Sequence, residues 1–148
     1  MFRGCFEHAI DDKGRLSIPA KFRDALTSAF TPPLHLTFSL DSPCLVAYPA
    51  DAWRDLETKI NALPEFDPTA QRVRRTFYAS AQECPLDRSG RVLVPPSLRA
   101  RIGLDRDVVL AGLGKKFEIW NRERYDGMFG EVMEDPVALA AALGGLGL

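Results

Sequence analysis

The chain has 148 residues, of which 46% are hydrophobic and 26% are charged, and its formal net charge is −1 at pH 7. This composition is typical of a folded domain. It argues against a disordered chain, and the three widely spaced cysteines argue against a small scaffold held by disulfides. No apolar stretch is long enough to cross a membrane, so we expect a soluble cytoplasmic protein without a membrane partner.

A ten-residue motif occurs twice in the chain. Residues 10–19 read IDDKGRLSIP, and residues 86–95, which lie 76 positions later, read LDRSGRVLVP. After a four-residue adjustment the matching resumes, with residues 45–60 falling on residues 117–132. A repeat on this scale predicts two copies of one structural unit. Each copy has roughly 70 residues, a size at which burial is marginal, so we expect the copies to pack against each other.

The first copy is predicted to follow the order strand, strand, helix, strand, strand, helix. Alternating apolar residues around a polar turn are typical of short strands, and Pro19 both ends the second strand and suits the start of a helix. The predicted segments are strands at 6–10 and 15–19, a helix at 20–26, strands at 34–40 and 44–48, and a closing helix with an apolar stripe of Trp53, Leu56, Ile60 and Leu63.

A connecting helix and a second copy follow. Asp67 as a cap and Pro68 at the first helical position predict that this helix begins there, and Arg72, Arg74 and Arg75 give it an exposed charged face. Beyond Pro136 an alanine-rich run predicts a further helix. The other predicted segments are a helix at 96–102, strands at 107–112 and 116–120, and a closing helix with a core stripe of Tyr125, Met128, Phe129, Val132 and Met133.

The two repeated turns have residues suited to shaping a tight hairpin. An Asp side chain accepts hydrogen bonds from backbone amides two or three residues further on, and a Gly takes the positive φ that other residues resist. The turn-forming residues are therefore predicted to be Asp11, Gly14, Asp87 and Gly90.

The basic residues of the turns are the candidate DNA-binding residues. Arg15 and Arg91 follow the two glycines, and Lys13 and Arg88 lie within the turns. One interpretation is structural, with each arginine bonded to the Asp of its own turn. The other is nucleic-acid binding, because the planar guanidinium suits both phosphates and guanine edges.

The distribution of charge allows the second interpretation. Residues 1–117 contain 17 Lys and Arg against 14 Asp and Glu, a net charge of +3, whereas residues 118–148 contain 2 against 6, a net charge of −4. A chain with a nearly neutral total charge can therefore present a basic face, although charge alone favours DNA binding only weakly.

The doubled motif carries a resemblance to a known family. The Asp-x-x-Gly-Arg turn, the apolar-x-apolar-Pro strand and the short helix occur twice, and FEIW follows at 117–120. In these features the chain resembles the MraZ family of bacterial transcriptional regulators, which are built from two SpoVT-AbrB-type units. The resemblance implies an α+β fold, namely a tandem, pseudo-symmetric, swapped-hairpin β-barrel of the AbrB type with flanking helices.

The resemblance also implies domain boundaries and a function. The expected divisions are a first unit over 1–66, a connecting helix over 67–81, a second unit over 82–134 and a C-terminal tail over 135–148. The expected function is sequence-specific binding of double-stranded DNA at direct repeats in the promoter of the protein's own division and cell-wall operon. The protein would act there as a ring-shaped homo-oligomer, associated with the nucleoid.

Other functions are less well supported by the sequence. An oligomeric protein-interaction module, in which the turn arginines pair across subunits, stays open as the alternative. Cys5 and His8 have the spacing of half a zinc site, but four ligands are not evident, so we expect no metal and no cofactor. Acidic pairs such as Glu7 and Asp11 lack a recognisable nucleophile with a base beside it, so we expect neither catalysis nor a small-molecule substrate.

Overall fold

A computed structural model describes residues 1–147 and follows the predicted order of elements closely. The first copy contains β1 Cys5–Ala9, β2 Arg15–Ser17, α1 Ala20–Ser28, β3 Leu34–Phe38, β4 Leu45–Pro49 and α2 Ala50–Asn61. The connection contains α3 Pro68–Val73 and a π-helical segment, Arg74–Tyr78. The second copy and the tail contain β5 Gln82–Cys84, β6 Arg91–Leu93, α4 Pro96–Arg101, β7 Asp107–Gly112, β8 Phe117–Asn121, α5 Arg122–Glu134 and α6 Pro136–Gly145. Leu148, the last residue of the predicted tail, lies outside the described residues.

The eight strands of residues 1–147 form two antiparallel sheets. The larger sheet has six strands in the order β1-β7-β8-β4-β3-β5, and the smaller one contains β2 and β6. Together with the helices, these sheets confirm the predicted α+β class. In residues 1–147 neither sheet is closed, because β1 and β5 are the two edges of the larger sheet.

Strands of one copy pair with strands of the other at four places. β1 pairs with β7, β5 pairs with β3, β4 pairs with β8, and β2 pairs with β6. Within the first copy, the backbone N–H of Asp11 donates to the carbonyl of Arg15 at 3.0 Å, and the ladder then stops at a single bridge between Ile10 and Leu16. The predicted turn is therefore present, but the strands on either side of it diverge into different sheets.

One hydrophobic core lies between the inner face of the larger sheet and the layer of α1, α4 and the smaller sheet. Phe22 of α1 packs edge-on against Phe2, and it also contacts Phe117 of β8 with the ring centroids 4.9 Å apart. Both copies therefore contribute to the same core. Matched positions of the repeat are buried in pairs: Leu16 with Val92, Ile18 with Val94, Phe22 with Leu98 and Leu26 with Ile102.

The outer face of the larger sheet is covered unequally in the two copies. Trp53 of α2 stacks on Phe77 of the π-helical segment with 5.7 Å between ring centroids, which confirms that α2 is a closing helix. Leu63 of the predicted stripe is the exception, because α2 ends at Asn61 and Leu63 is 36% exposed. The same expectation for α5 is wrong in its second half, because Phe129, Val132 and Met133 are 52%, 41% and 61% exposed. The chain after α2 returns over the sheet as α3 and the π-helical segment, whereas the helix after α5 has no buried residue.

None of the helices within residues 1–147 is both long and apolar enough to span a membrane.

Candidate nucleic-acid interface

The first turn is organised by the side chain of Asp11. Its Oδ1 accepts from the backbone N–H groups of Lys13 and Arg15, both at 2.9 Å. The Asp11 carbonyl accepts from the N–H of Gly14 at 2.9 Å, and Gly14 has φ +84°, the left-handed conformation that favours glycine. These bonds fix the backbone on both sides of Arg15, so its side chain leaves from a defined position.

Arg15 uses one edge of its guanidinium within the turn. Its Nε donates to Asp11 Oδ2 at 2.7 Å, and its side chain is 35% exposed. The structural interpretation, in which Arg15 bonds to the Asp of its own turn, therefore holds for its Nε group. The Nη1 and Nη2 groups have no hydrogen-bond acceptor among residues 1–147, so four of the five donors of Arg15 are available to a ligand.

The second turn has the same geometry as the first. Asp87 Oδ1 accepts from the backbone N–H groups of Ser89 and Arg91 at 2.9 Å each, and Arg91 Nε donates to Asp87 Oδ2 at 3.0 Å. Gly90 has φ +73°. The sequence repeat is therefore also a repeat of side-chain geometry, and Arg91 has the same free Nη edge as Arg15 within the described part of the chain.

The hydrogen bonds in the turns lower the pKa of both carboxyl groups. The backbone N–H of Arg15 is the largest cause of the lowered pKa of Asp11, and the Arg15 side chain and the Lys13 amide add to it against a smaller effect of burial. The pKa of Asp87 is lowered in the same way, first by the backbone N–H of Arg91. Both carboxylates are thus ionised at neutral pH, which favours their pairing with the arginines.

The smaller sheet brings the two turn arginines onto one surface. Arg15 is opposite Leu93, and Arg91 is opposite Ser17, in the antiparallel ladder of β2 and β6. Because residues two apart in a strand face the same side, these four residues share one face, and Leu16 and Val92 face the core. Arg15 and Arg91 are diagonal neighbours on that exposed face, about 7–8 Å apart at the backbone.

Backbone hydrogen bonds also join each turn to the other copy. The N–H of Val94 donates to the carbonyl of Gly14 at 2.9 Å, and the N–H of Ile18 donates to the carbonyl of Gly90 at 3.0 Å. The relative position of the two turns therefore depends on backbone contacts and not on flexible side chains.

Two further arginines contact the turns, and sequence reasoning gave them no role. A Cβ atom at Gly14 would lie 2.8 Å from Nη2 of Arg99, and one at Gly90 would overlap the Arg23 side chain. Each arginine thus comes from a helix of one copy and packs on the turn of the other. Arg23 and Arg99 occupy matching positions of the repeat, a signal that could have identified them, but the sequence does not show which turn either one reaches.

We call this surface the paired-turn face. It contains three carboxylates and six basic side chains, a net charge of +3. Among the described residues only Arg15 and Arg91 of its six basic side chains are in salt bridges. The carboxylates are Asp11, Asp12 and Asp87, and the basic residues are Lys13, Arg15, Arg23, Arg88, Arg91 and Arg99.

Two other basic segments have structural roles. Arg74 donates through Nη2 to the carbonyl of Leu63 at 2.8 Å, so it satisfies backbone carbonyls after the end of α2. Lys115 and Lys116 lie in the turn between β7 and β8, and the N–H of Leu113 donates to the carbonyl of Lys116 at 2.9 Å.

Two of the three cysteines, Cys44 and Cys84, are buried, whereas Cys5 is exposed. All three cysteines are free, and burial raises the pKa of Cys84 to about 11 and that of Cys44 still further. Protonated, buried thiols are poor nucleophiles. His8 Nδ1 lies 2.6 Å from the carbonyl of Ser17, a contact that links β1 to β2. Within residues 1–147 no group of three or more His, Cys, Asp or Glu side chains is arranged to hold a metal ion.

The fold and this surface define a class of protein: a tandem α+β repeat whose two copies exchange strands and present a pair of basic turns on one face. Comparison with known proteins then identifies the family. The family model described as MraZ protein matches the chain twice, over residues 1–76 and 77–142. The chain belongs to the MraZ family.

Individual relatives match most of the chain. A protein of Heliobacterium modesticaldum named transcriptional regulator MraZ is 46% identical over 125 residues, which are 84% of either chain. Proteins of the same name from Moorella thermoacetica and Halorhodospira halophila are 42% identical over 140 residues and 39% identical over 145 residues. These matches cover 95% and 98% of this chain, and 94% and 95% of the relatives. The relatives are named for transcriptional regulation and not for a reaction, which agrees with the prediction that the chain is not an enzyme.

Proposed function

We propose that this protein is a transcriptional regulator that binds double-stranded DNA through the paired-turn face. One observation supports the proposal most strongly. Arg15 and Arg91 have the same geometry on one exposed surface, each with its Nη groups unpaired within the described residues. The shared name of its relatives supports the regulatory role.

The arrangement of each turn suits DNA better than it suits a purely structural role. Asp11 holds the Nε of Arg15 and so orients the guanidinium, while the outer edge stays free for a phosphate or for the O6 and N7 atoms of guanine. Side chains that are oriented before binding lose less conformational entropy on binding. Lys13 and Arg88 extend the positive charge along the turns, where phosphate contacts position a protein on the duplex.

The four turn-forming residues shape the site and do not contact DNA in this proposal. Carboxylates of Asp11 and Asp87 would repel phosphates, and Gly14 and Gly90 have no side chain to contribute. Their role is to fix the positions of Arg15, Lys13, Arg91 and Arg88.

The full proposal includes an assembly and a target. Protomers form a ring-shaped homo-oligomer that binds direct repeats in the promoter of the protein's own division and cell-wall operon, in association with the nucleoid in the cytoplasm. Because adjacent protomers engage adjacent repeats, modest contacts made by each protomer add up to high avidity. The exchange of strands between copies supports a swapped-hairpin description of the fold, and the divisions 1–66, 67–81, 82–134 and 135–148 are proposed as its units.

The alternative is an oligomeric interaction module without DNA binding. The ion pairs Arg15–Asp11 and Arg91–Asp87 favour it, since they satisfy part of each arginine within the protein. A binding assay with DNA separates the two functions. The parent protein is titrated into a fragment upstream of its own gene and into a shuffled fragment of equal length, at several salt concentrations.

We expect preference for the native fragment and an affinity that falls steeply with salt, because phosphate contacts release counterions. Equal and weak binding to both fragments would contradict sequence-specific regulation. Absence of binding at 50 mM salt, in protein that is folded and assembled, would favour the interaction module.

A further inference from the structure

The last helix of the described chain is apolar on all sides and lies uncovered. α6 contains no charged residue, and none of its residues is buried. Leu139 and Leu143 lie one turn apart on the same stripe, and each is 43% exposed. A helix that is hydrophobic all round is normally buried against protein or lipid, and this one is too short to span a membrane. It therefore needs a protein surface that its own protomer does not provide.

A groove on the outer face of the same protein offers such a surface. Two adjoining hollows of about 450 and 410 Å³ share the side chains of Tyr48, Leu56, Leu113 and Lys116, so they form one continuous groove. Leu113 at its edge is 49% exposed, an unusual position for a leucine in a tight hairpin turn. The groove is open at the surface and is mostly apolar, but its first hollow also contains the carboxylates Asp41 and Glu118.

The charges in the second hollow of the groove complement those beside α6. One end of the groove is lined by Lys59, Lys115 and Lys116 against a single carboxylate, Asp55. The chain from 125 to 148 contains four acidic residues and no basic one, and three of the acids, Glu131, Glu134 and Asp135, lie just before or at the start of α6. Within residues 1–147 none of these lysines or acids is in a salt bridge. We call the surface of Tyr48, Leu56, Leu113 and the three lysines the lysine-rimmed groove.

The junction between α5 and α6 is short and hydrogen-bonded. Asp135 accepts from the N–H of Ala138 at 3.1 Å, and its own N–H donates to the carbonyl of Val132 at 3.3 Å. The junction is one residue long and is held by these bonds, so it is not a loose linker. The exposed apolar side chains in the second half of α5 thus lie directly before α6 in the chain.

We infer that α6 docks in the lysine-rimmed groove of a second copy of this chain, with the acidic residues before it placed against the groove lysines. This inference rests on the homo-oligomer of the proposed function and identifies the surfaces that build it. Because groove and helix are different surfaces, the contact is head-to-tail, and every protomer has one of each. Head-to-tail contacts that close on themselves produce a ring.

The test measures molar mass by light scattering during gel filtration. In one variant Leu139→Glu and Leu143→Glu are combined, and in the other Leu113→Glu alters the groove at an exposed position. Phe66→Glu, at a side chain that is 89% exposed outside both surfaces and outside the paired-turn face, is the control. We expect the control to keep the mass of the parent and each of the other variants to elute as a monomer of 16.4 kDa.

Mixing the two monomeric variants provides the decisive step. The groove of the helix variant is intact, and so is the helix of the groove variant, so an equimolar mixture should form a species of two chains and no larger one. A mixture that stays monomeric would overturn the inference. A helix variant that keeps the mass of the parent would also overturn the inference. If that variant also melted at a lower temperature than the parent, α6 would dock within its own protomer.

DNA binding distinguishes this result from the proposed function. If the helix variant is monomeric and the parent fails to bind promoter DNA, the docking stands and the regulatory proposal fails. If the parent binds promoter DNA as a monomer, the docking fails and DNA binding stands.

Discussion

Each turn arginine divides its guanidinium between the protein and the solvent. Asp11 and Asp87 take the Nε edge, at 2.7 and 3.0 Å, and the outer edge is left unpaired within residues 1–147. Such exposed ion pairs contribute little to stability by themselves. Their value lies in orientation, because the same carboxylates also bind the turn amides. The arginine is thereby fixed relative to the backbone and not only relative to a mobile side chain.

Replacing Gly14 with alanine should damage the first turn. Residues with a Cβ are disfavoured at its φ of +84°, and the new atom would meet the Arg99 guanidinium. We expect the free energy of unfolding to fall by about 1–2 kcal/mol, measured by urea denaturation. Gly127→Ala on α5 is the matched control, since a Cβ there meets nothing within 4 Å and should stabilise the helix by about 0.5–1 kcal/mol. Equal stability of the Gly14→Ala variant and the parent would show that the turn does not need this backbone conformation.

The carboxylates of the turns should make stability depend on acid pH. Their pKa is lowered in the folded protein from an ordinary value of 3.8, so the folded state binds fewer protons than the unfolded state. This contribution is present above pH 3.8 and is lost as the pH falls through the lowered folded-state pKa. In thermal melts, the Asp11→Asn/Asp87→Asn variant should therefore melt below the parent at pH 5, and the difference should shrink towards pH 2. A difference that stays constant over this range would argue against the ionised pairing.

At the scale of elements, the exchange of strands makes the two copies one folding unit. β1 completes the sheet beside β7, β5 lies beside β3, and β4 lies beside β8. Within residues 1–147, β2 has only β6 as its ladder partner. The core likewise takes matched residues from both copies. Neither copy has its own complete set of hydrogen-bond partners.

Separate halves of the chain should therefore fail to fold and should fold when combined. A fragment of residues 1–80 retains α3 and the π-helical segment with Trp53, but it lacks the partners of β1 and β2. We expect poorly dispersed amide spectra from residues 1–80 and 81–148 alone, and native-like dispersion from their equimolar mixture. Cooperative folding of either fragment alone would show that the exchanged strands are dispensable.

The sequence predicted the elements better than their pairing. Alternation, the Asp and Gly of each turn, and Pro19 and Pro95 are local signals, and they located the strands and helices within a few residues. The choice of strand partner is not local. The two copies have the same apolar pattern, so β2 could bury Leu16 equally well beside a strand of its own copy. The exposure of α5 was missed because the sequence stripe does not tell which helices a later segment will cover.

The sequence also predicted only some of the residues of the candidate site. The doubled motif identified Arg15, Arg91 and the turn-forming residues, because each role depends on neighbours within four positions. The contacts of Arg23 and Arg99 cross from one copy to the other and follow only from the three-dimensional arrangement. A balanced net charge of −1 also concealed the local charge of +3 on the paired-turn face.

At the scale of the whole molecule, basic turns and an apolar helix lie on separate surfaces. The paired-turn face is built on β2 and β6, whereas the lysine-rimmed groove lies on the opposite, outer face of the larger sheet. Assembly through α6 would leave the turns of every protomer free. A ring would then present many equivalent turns to DNA, and the loss of one contact per protomer would be multiplied by the number of repeats engaged.

The measurement that most directly tests DNA binding through the paired-turn face compares two double variants of equal charge. Arg15→Ala/Arg91→Ala removes the turn arginines, and Arg54→Ala/Arg72→Ala removes two arginines elsewhere. Binding to the promoter fragment is titrated at fixed salt, with the molar mass of each protein measured alongside. Each turn arginine that reads a base should contribute roughly 1–3 kcal/mol per protomer. We predict that the turn variant keeps the mass of the parent and loses promoter binding, while the control variant binds within a few-fold of the parent. Parent-like affinity of a fully assembled Arg15→Ala/Arg91→Ala protein would contradict the account.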